Sequence, residues 1–320
     1  MGERVAAAAP PAVRSRSLGE GGDPAPYPPS LAAAKPVLGY YARAWRRFRR
    51  DRVAMIGLLM TGLIVLFVLS ADFISRVTGF SYWQGQLGEQ FLPPFTEGHL
   101  LGTDTNGRDV LVRLAYGGRV SLLVGVVSAI ATLVIGGGIG ALAGYFGGWI
   151  DAVLMRLVDV LLSLPGLPLL LLIAVLYKPG VVGLALILAL IGWPPVARLV
   201  RGEVLGRRHA DYVEAARLIG ADSGRIISRH ILPNVAPLMI VWLSLAIPSL
   251  ILTEATLSFL GFGVRVPMPS WGNMLDGATK YFARSWTNVF IPGFAIWLTV
   301  LAINLIGNGL RDAFDPRLND

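Results

Sequence analysis

The stretch that decides the fold is Asp211-Tyr-Val-Glu-Ala-Ala-Arg-Leu-Ile-Gly220, which continues as Ala221-Asp-Ser-Gly-Arg-Ile-Ile-Ser-Arg-His-Ile-Leu-Pro233. This stretch is a polar segment between two strongly apolar segments of the sequence. Asp211 is a suitable N-cap with Glu214 as its capping-box partner, and Gly220 supplies a left-handed stop. The pattern therefore predicts a short helix of about two turns.

The predicted helix has two different sides. Glu214 and Arg217 are three residues apart on one side and are predicted to form an ion pair. The other side carries a small apolar face made of Tyr212, Ala215, Ala216 and Ile219. So short a helix is not stable alone, and a loop between membrane spans offers little protein to cover it. We therefore expect a partner protein to bind this face.

Composition places the chain among membrane proteins. Of its 320 residues, 54% are hydrophobic and only 15% are charged, which is typical of an all-α polytopic membrane protein. There is no cysteine, so disulfides, thiolate chemistry and cysteine metal sites are excluded. The net charge of +8 does not indicate nucleic-acid binding, because the basic residues cluster beside apolar spans, where they set membrane orientation.

The chain divides by composition. Residues 1–38 are rich in Ala, Pro, Gly and Ser and predict a disordered cytoplasmic tail. Residues 39–52 form a basic amphipathic segment that is expected to lie on membrane lipid at the inner leaflet. A cleaved signal peptide is disfavoured, because its charged leader would exceed 50 residues. Beyond this segment we predict a transmembrane domain at 53–311, a cytoplasmic loop at 199–233 within it, and a cytoplasmic C-terminus at 312–320.

Six apolar runs approach or exceed the ~20 residues that cross a bilayer. The predicted spans are 53–70, 120–144, 151–176, 181–197, 235–258 and 289–310. Six spans place both termini on one side. The segments predicted inside hold 19 Lys and Arg and those predicted outside hold 8, which puts the 199–233 loop in the cytoplasm.

Glycine and proline mark two features within the spans. Gly136, Gly140 and Gly144 recur every four residues in the second span and predict close packing of another helix. Pro165 and Pro168 in the third span remove backbone donors, so the helix is predicted to kink or break there. Such breaks accompany transport paths, although packing explains many of them.

The sequence lacks the motifs expected of an ATPase, a zinc protease or a calcium-binding loop. The three lysines, Lys35, Lys178 and Lys280, do not stand in a phosphate-binding loop, so this chain is not predicted to bind or hydrolyse ATP. The three histidines show no zinc-protease spacing. Asp104 and Asn106 suggest an EF-hand only faintly, and its spacing fails. Neither a metal site nor a membrane-embedded enzyme is predicted.

The opening stretch resembles the EAA loop of ABC importer membrane subunits. Glu214-Ala-Ala, Gly220 four residues later and Leu232-Pro233 follow its spacing, whereas His230 stands where the pattern prefers isoleucine. In that family the loop forms a coupling helix that docks in a groove of the ATP-binding subunit. The resemblance implies that the following residues couple this chain to such a subunit: Tyr212, Glu214, Ala215, Ala216, Arg217, Ile219, Gly220, Leu232 and Pro233.

The outer loops resemble one subfamily of these importers. The motif of Gly102, Thr103 and Asp104 followed by Gly107, Arg108 and Asp109 looks like the loop before the second span in dipeptide, oligopeptide and nickel importers. Leu257-Ser-Phe-Leu-Gly261 and Pro269-Ser-Trp-Gly272 are also similar to that subfamily. The resemblance covers residues 40 to 316, and the chain is similar to the C-type permease of a dipeptide transporter.

The resemblance implies a fold, a function and partners. The fold is that of a type I ABC importer permease with six transmembrane helices and a cytoplasmic coupling helix. The expected function is a non-enzymatic permease subunit for peptides in a bacterial or archaeal cell membrane. Expected partners are a homologous second permease, two ATP-binding subunits that bind ATP and Mg, and an extracytoplasmic binding protein. An ion-driven secondary transporter, or a permease for nickel or another small solute, remains the alternative.

Charged residues inside the spans need an explanation, because each costs about 2.5–3.5 kcal/mol at a helix centre unless it faces protein or water. Glu254 is predicted near the outer end of the fifth span, where it could meet the amino group of an entering peptide. It is therefore a candidate for the substrate path together with Pro165 and Pro168; the alternatives are an interfacial carboxylate or one paired within the bundle. Arg156 and Asp159, one turn apart, are predicted to pair.

Overall fold

The computed structural model describes residues 39–276 and 278–315, and it is helical in most of this part of the chain. The predicted tail at 1–38 and the last five residues lie outside the described residues. The helices are α1 Tyr40–Phe48, α2 Arg52–Leu69, α3 Ala71–Thr78, α4 Val110–Phe146, α5 Gly148–Ser163, α6 Gly166–Tyr177, α7 Val181–Arg207, α8 Asp211–Leu218, α9 Ser223–Arg225, α10 Leu232–Phe259, α11 Trp271–Leu275 and α12 Thr287–Phe314. A π-helical segment, Ile226–Ile231, joins α9 to α10, so Ser223–Phe259 runs as one helix.

Five of these helices are long and apolar enough to cross a membrane, and the bent pair α5–α6 makes six if it counts as one span. The chain is therefore an all-α, multi-pass membrane protein. Several helices are longer than the spans predicted for them. Helix α4 begins at Val110 and not at 120, and α7 continues to Arg207 instead of ending at 197. The extensions have a physical cause, because buried side chains such as Val112 and Val204 continue to pack there.

The predicted loop at 199–233 is accordingly shorter than expected. Its first part belongs to α7 and its last part to the helix that starts at Ser223. Between Arg207 and Ser223 the chain leaves the long helices, and α8 is the helix within that interval.

The third predicted span is broken. α5 ends at Ser163, Leu164 and Pro165 are extended, and α6 leaves at an angle of 84° to α5. Proline lacks the backbone N–H that would continue the helix and disfavours helical backbone in the residue before it. The predicted proline break is confirmed.

Among the described residues, α4 and α7 make the most extensive contact between two helices, and the predicted glycine stripe lies between them. A Cβ atom on Gly136 would stand 2.6 Å from the carbonyl oxygen of Trp193, and one on Gly144 would stand 2.8 Å from Cβ of Val204. Gly140 faces the α7 backbone between these positions. The backbones therefore approach more closely than any side chain at these positions allows, which confirms the predicted packing.

Acidic residues of α5 tie that helix to α7. Asp151 accepts from the Arg201 guanidinium, with a distance of 2.5 Å between its Oδ2 and Nη2. Asp159 accepts from Arg198 Nη2 at 2.6 Å. The predicted pairing of Asp159 with Arg156 is therefore wrong: the neighbouring helix, and not the same one, supplies the cation.

Contacts of α2, α10 and α11 complete the bundle. Gly57 of α2 lies against Ala302 and Leu305 of α12, and α10 packs between α4 and α12. The short α11 is inserted beside α4, where Gly118 makes room for the Trp271 ring. The indole Nε1 donates to the Leu114 carbonyl at 2.9 Å.

Substitution of Gly140 by alanine is expected to destabilise the α4–α7 pair. The new methyl would meet the α7 backbone, and overpacking of this kind costs typically 1–3 kcal/mol. The matched control is Gly138→Ala, since a Cβ atom there meets nothing within 4 Å. Thermal unfolding in detergent should show a lower midpoint for Gly140→Ala than for Gly138→Ala; equal midpoints would contradict the packing.

Candidate functional site

The short helix α8 forms where the sequence predicts it, but its ends are made differently. Ala210 is the N-cap, its side chain offers no hydrogen bond, and Asp211 is the first helical residue. The predicted Asp211 cap is therefore wrong. Asp211 and Glu214 both lie in the first turn, where negative charge is favoured by the helix dipole.

The C-terminal stop is confirmed. Gly220 has a φ of +83°, its N–H donates to the Arg217 carbonyl at 3.0 Å, and the Ala221 N–H donates to the Ala216 carbonyl at 3.0 Å. These two bonds form a Schellman motif, which requires a left-handed residue and so favours glycine.

One side of α8 is buried on the ends of the long helices. Val213 is fully buried and Ala216 nearly so. Their cluster also contains Ala141 and Tyr145 of α4, Val200 and Val204 of α7, and Ile226, Ile231 and Val235 of the Ser223–Phe259 helix. Helix α8 is therefore fixed to three long helices through one small apolar contact.

The other side of α8 is apolar and exposed. Leu218 is 89% exposed and Ile219 86%, and both Tyr212 and Ala215 are also exposed. The predicted face is thus present for Tyr212, Ala215 and Ile219, whereas Ala216 lies on the buried side. An apolar face this open on so short a helix is typical of an interaction surface.

The predicted Glu214–Arg217 ion pair is wrong within the described residues. The Arg217 guanidinium lies over the Tyr145 ring, 5.3 Å from its centroid. Glu214 Oε1 is 3.8 Å from His209 Nδ1. Arg217 is exposed overall, but its guanidinium lies over an aromatic ring, where a cation–π contact replaces the predicted ion pair.

The predicted residues Leu232 and Pro233 begin α10. Leu232 is partly buried beside the same cluster that holds Val213. Pro233 is exposed, and its carbonyl accepts from the Tyr41 hydroxyl of α1 at 2.9 Å. The structure therefore places all nine predicted coupling residues at one end of the bundle, where Tyr41 of α1 also contacts Pro233.

The predicted outer-loop motif builds a compact turn at the start of α4. Asp104 accepts from the backbone N–H groups of Asn106 and Arg108, and its side chain also meets the guanidinium of Arg108 at 2.8 Å and that of Arg113 at 3.2 Å. Asp109 caps α4 by accepting from the Val112 N–H at 2.8 Å. Thr103 pairs with Asp109 in a β-bridge, and Gly102 and Gly107 both have positive φ.

His99 completes this turn and was missed by the sequence argument. Its Nδ1 lies 2.7 Å from Asp109 Oδ2 and its Nε2 lies 3.4 Å from Glu89 Oε2. The ring stacks on Phe80 with centroids 4.0 Å apart. A lone histidine carries no sequence signal, and here its role is to join three segments of the loop.

A second contact fixes α3 to α4 on the same side. Arg119 Nη2 donates to Asp72 Oδ2 at 2.8 Å, and the Tyr116 hydroxyl donates to Asp72 Oδ1 at 2.5 Å. These bonds, that from Arg119 first, hold the pKa of the Asp72 carboxyl below its ordinary value. The loop before the second span is therefore anchored at both of its ends.

Glu254 is fully buried and hydrogen-bonded within the bundle. Ser121 of α4 donates to Oε2 at 2.9 Å, and Ser258 of α10 donates to Oε1 at 2.6 Å. The Trp271 N–H donates to Ser121 Oγ at 3.2 Å, so the network joins α4, α10 and α11. In this structure Glu254 is therefore a carboxylate paired within the bundle.

Helix α8 and Glu254 lie at opposite ends of α4. Helix α8 packs at Ala141 and Glu254 at Ser121, which at 1.5 Å per residue are about 30 Å apart along the axis. That distance matches the hydrocarbon thickness of a bilayer. Within residues 39–276 and 278–315, no group of three or more His, Asp or Glu side chains is placed to hold a metal ion.

Comparison with known proteins identifies two matching families. Residues 136–320 match the model of the binding-protein-dependent transport system inner membrane component. Residues 39–94 match the N-terminal TM domain of oligopeptide transport permease C.

Individual relatives agree with these families. The chain is 42% identical over 287 residues to the dipeptide transport system permease protein DppC of Bacillus subtilis, covering 89% of this chain and 88% of that protein. It is 40% identical over 299 residues to a di/tripeptide transport system permease protein of Pseudomonas aeruginosa, covering 91% and 96%. It is also 40% identical over 276 residues to an oligopeptide transport system permease protein of Haemophilus influenzae, covering 86% and 88%.

Replacement of Glu254 distinguishes a packing role from a role of its charge. Glu254→Ala leaves two buried hydroxyls without their acceptor, which costs about 1–3 kcal/mol, and should lower the thermal midpoint in detergent. Glu254→Gln keeps an acceptor and the side-chain volume, so it should stay near the wild-type midpoint. If a Glu254→Gln protein of normal stability loses transport activity, the negative charge of Glu254 is required for that activity.

Proposed function

The chain belongs to the family of binding-protein-dependent transport system inner membrane components, and from that premise we propose that it is the membrane-spanning permease subunit of an ATP-driven importer of peptides. The exposed apolar face of α8, in the position of the EAA motif, is the observation that carries the proposal. The peptide class comes from the relatives, which are named as dipeptide, di/tripeptide and oligopeptide permeases. The same relatives favour this function over an ion-driven carrier or a nickel permease.

The proposal includes an assembly. A homologous second permease pairs with this chain, two ATP-binding subunits dock on the coupling helices, and an extracytoplasmic binding protein delivers the substrate. ATP and Mg are bound by the ATP-binding subunits and not by this chain. The complex lies in a bacterial or archaeal cell membrane, with both termini of this chain in the cytoplasm, and the basic α1 rests against anionic lipid.

In this assembly α8 passes motion from the ATP-binding subunit to the spans. The exposed residues Leu218 and Ile219 enter the groove of that subunit, while Val213 and Ala216 fix α8 to α4 and α7. ATP drives transport only if it favours one arrangement of the spans over another, so α8 must move with the helices that it contacts. The Val213 cluster provides that connection.

The substrate path is proposed to run beside the broken span. Pro165 and Pro168 are exposed in this single chain and are available to the second permease or to the path. Glu254 is enclosed by α4, α10 and α11. It would reach a peptide only if these helices separate, which is the kind of change that alternating access requires.

Ile219→Asp is expected to break the contact with the ATP-binding subunit without unfolding this chain. Loss of a central interface side chain costs about 2 kcal/mol or more, so co-purification and uptake should fall about 30-fold or more. Ala215→Asp should act in the same direction. Gly220→Glu is less informative, because a φ of +83° makes any side chain there strained.

Leu87→Asp is the matched control, because Leu87 and Ile219 are both 86% exposed and Leu87 lies in the outer loop. It should leave assembly and uptake unchanged. Normal co-purification together with normal ATP-driven uptake in the Ile219→Asp complex would refute the proposed docking.

A further inference from the structure

The start of α10 lacks part of the usual helical hydrogen bonding. Pro233 and Pro237 both lie in its first two turns and have no backbone N–H. In an α-helix, residue 237 would donate to the carbonyl of residue 233, so Pro237 deprives Pro233 of its usual donor. The preceding residues, Ile226–Ile231, are already π-helical. This segment connects α8 to the long apolar part of α10.

Side chains bind the backbone carbonyls of this segment. Ser228 Oγ donates to the Gly224 carbonyl at 2.8 Å, and Asn234 Nδ2 donates to the His230 carbonyl at 2.6 Å. Both are local. The Tyr41 hydroxyl, which donates to the Pro233 carbonyl at 2.9 Å, comes from 192 positions away in the sequence.

Tyr41 belongs to a different part of the bundle. Its helix, α1, packs through Ala44 and Phe48 against Ala54 of α2 and Ala313 of α12. A cavity of about 620 Å³ lies between α1 and the ends of α7, α10 and α12, with Tyr41 and Pro233 on its wall. The Tyr41 hydrogen bond therefore crosses the rim of an open space and links α1 to α10 where the two are not closely packed.

We propose that Tyr41 is a positioning residue for coupling. The proposal rests on the proposed function, because it concerns how motion of α8 reaches the spans. Two prolines and a π-helical segment make the start of α10 easy to bend, so part of any displacement of α8 is absorbed there. The Tyr41 bond fixes this segment to α1, α2 and α12, and the displacement then passes along α10.

Tyr41→Phe tests the bond while keeping the ring. One net hydrogen bond at a site that water reaches corresponds to about a threefold effect, so peptide uptake per ATP hydrolysed in proteoliposomes should fall about threefold. Amide hydrogen exchange of residues 223–238 should become faster by a similar factor in the assembled complex. Tyr40→Phe is the matched control, since the Tyr40 hydroxyl donates to the Phe314 carbonyl at the end of α12.

Pro237→Ala supplies a rescue that a general packing role would not permit. The alanine N–H can donate to the Pro233 carbonyl, so Tyr41→Phe combined with Pro237→Ala should regain wild-type coupling and exchange. Pro237→Ala alone controls for the loss of proline.

Two results would overturn the inference: Tyr41→Phe behaving like Tyr40→Phe in both measurements, or the double variant remaining as defective as Tyr41→Phe. If the wild-type complex shows no ATP-driven uptake, the proposed function fails instead. Hydrogen exchange still tests the Tyr41 bond in that case.

Discussion

The close approach of α4 and α7 is the constraint on which the rest of the structure depends. Gly136, Gly140 and Gly144 let the two backbones meet, and a stripe of valines on α7 fills the remaining space. In a bilayer no hydrophobic effect drives two helices together, so close backbone contacts and interhelical bonds such as Asp151–Arg201 stabilise the bundle. Because the pair stays close as far as Tyr145 and Val204, it offers α8 a firm base. The eight residues of α8 could not hold their helix without that base.

This arrangement separates two tasks along the length of α4. At one end α8 presents an exposed apolar face, on which we propose that an ATP-binding subunit docks. At the other end, about 30 Å away, Glu254, Ser121 and Trp271 join α4 to α10 and α11. In the proposed mechanism, a displacement of α8 passes along the long helices and changes their packing around Glu254. The broken span α5–α6 supplies the exposed Pro165 and Pro168, which we propose to lie beside the substrate path.

Much of this fold could be predicted from the sequence, because its signals are local. Hydropathy predicted the membrane spans, and Pro165 predicted the break between α5 and α6. The four-residue glycine period predicted the contact of α4 with another helix, and Gly220 predicted the end of α8. Apart from the N-cap of α8, which is Ala210 instead of Asp211, the wrong predictions concern neighbours that are distant in the chain. Arg217 turns to Tyr145, Asp159 turns to Arg198, and Ala216 is buried because α4 and α7 happen to lie beneath it. Tyr41 and His99 stand in no motif, and only the folded chain shows what they bind.

The docking of ATP-binding subunits on α8 is tested most directly by cysteine labelling, because this chain has no cysteine of its own. A single cysteine at position 218 replaces the side chain that is 89% exposed on α8, and a membrane-impermeant maleimide reports which side it faces. Docking on α8 in the cytoplasm predicts rapid labelling in inverted membrane vesicles that contain the permease alone, strong protection once the ATP-binding subunits are added, and no labelling of intact cells. Labelling from the outside of intact cells, or undiminished labelling in the assembled complex, would contradict it.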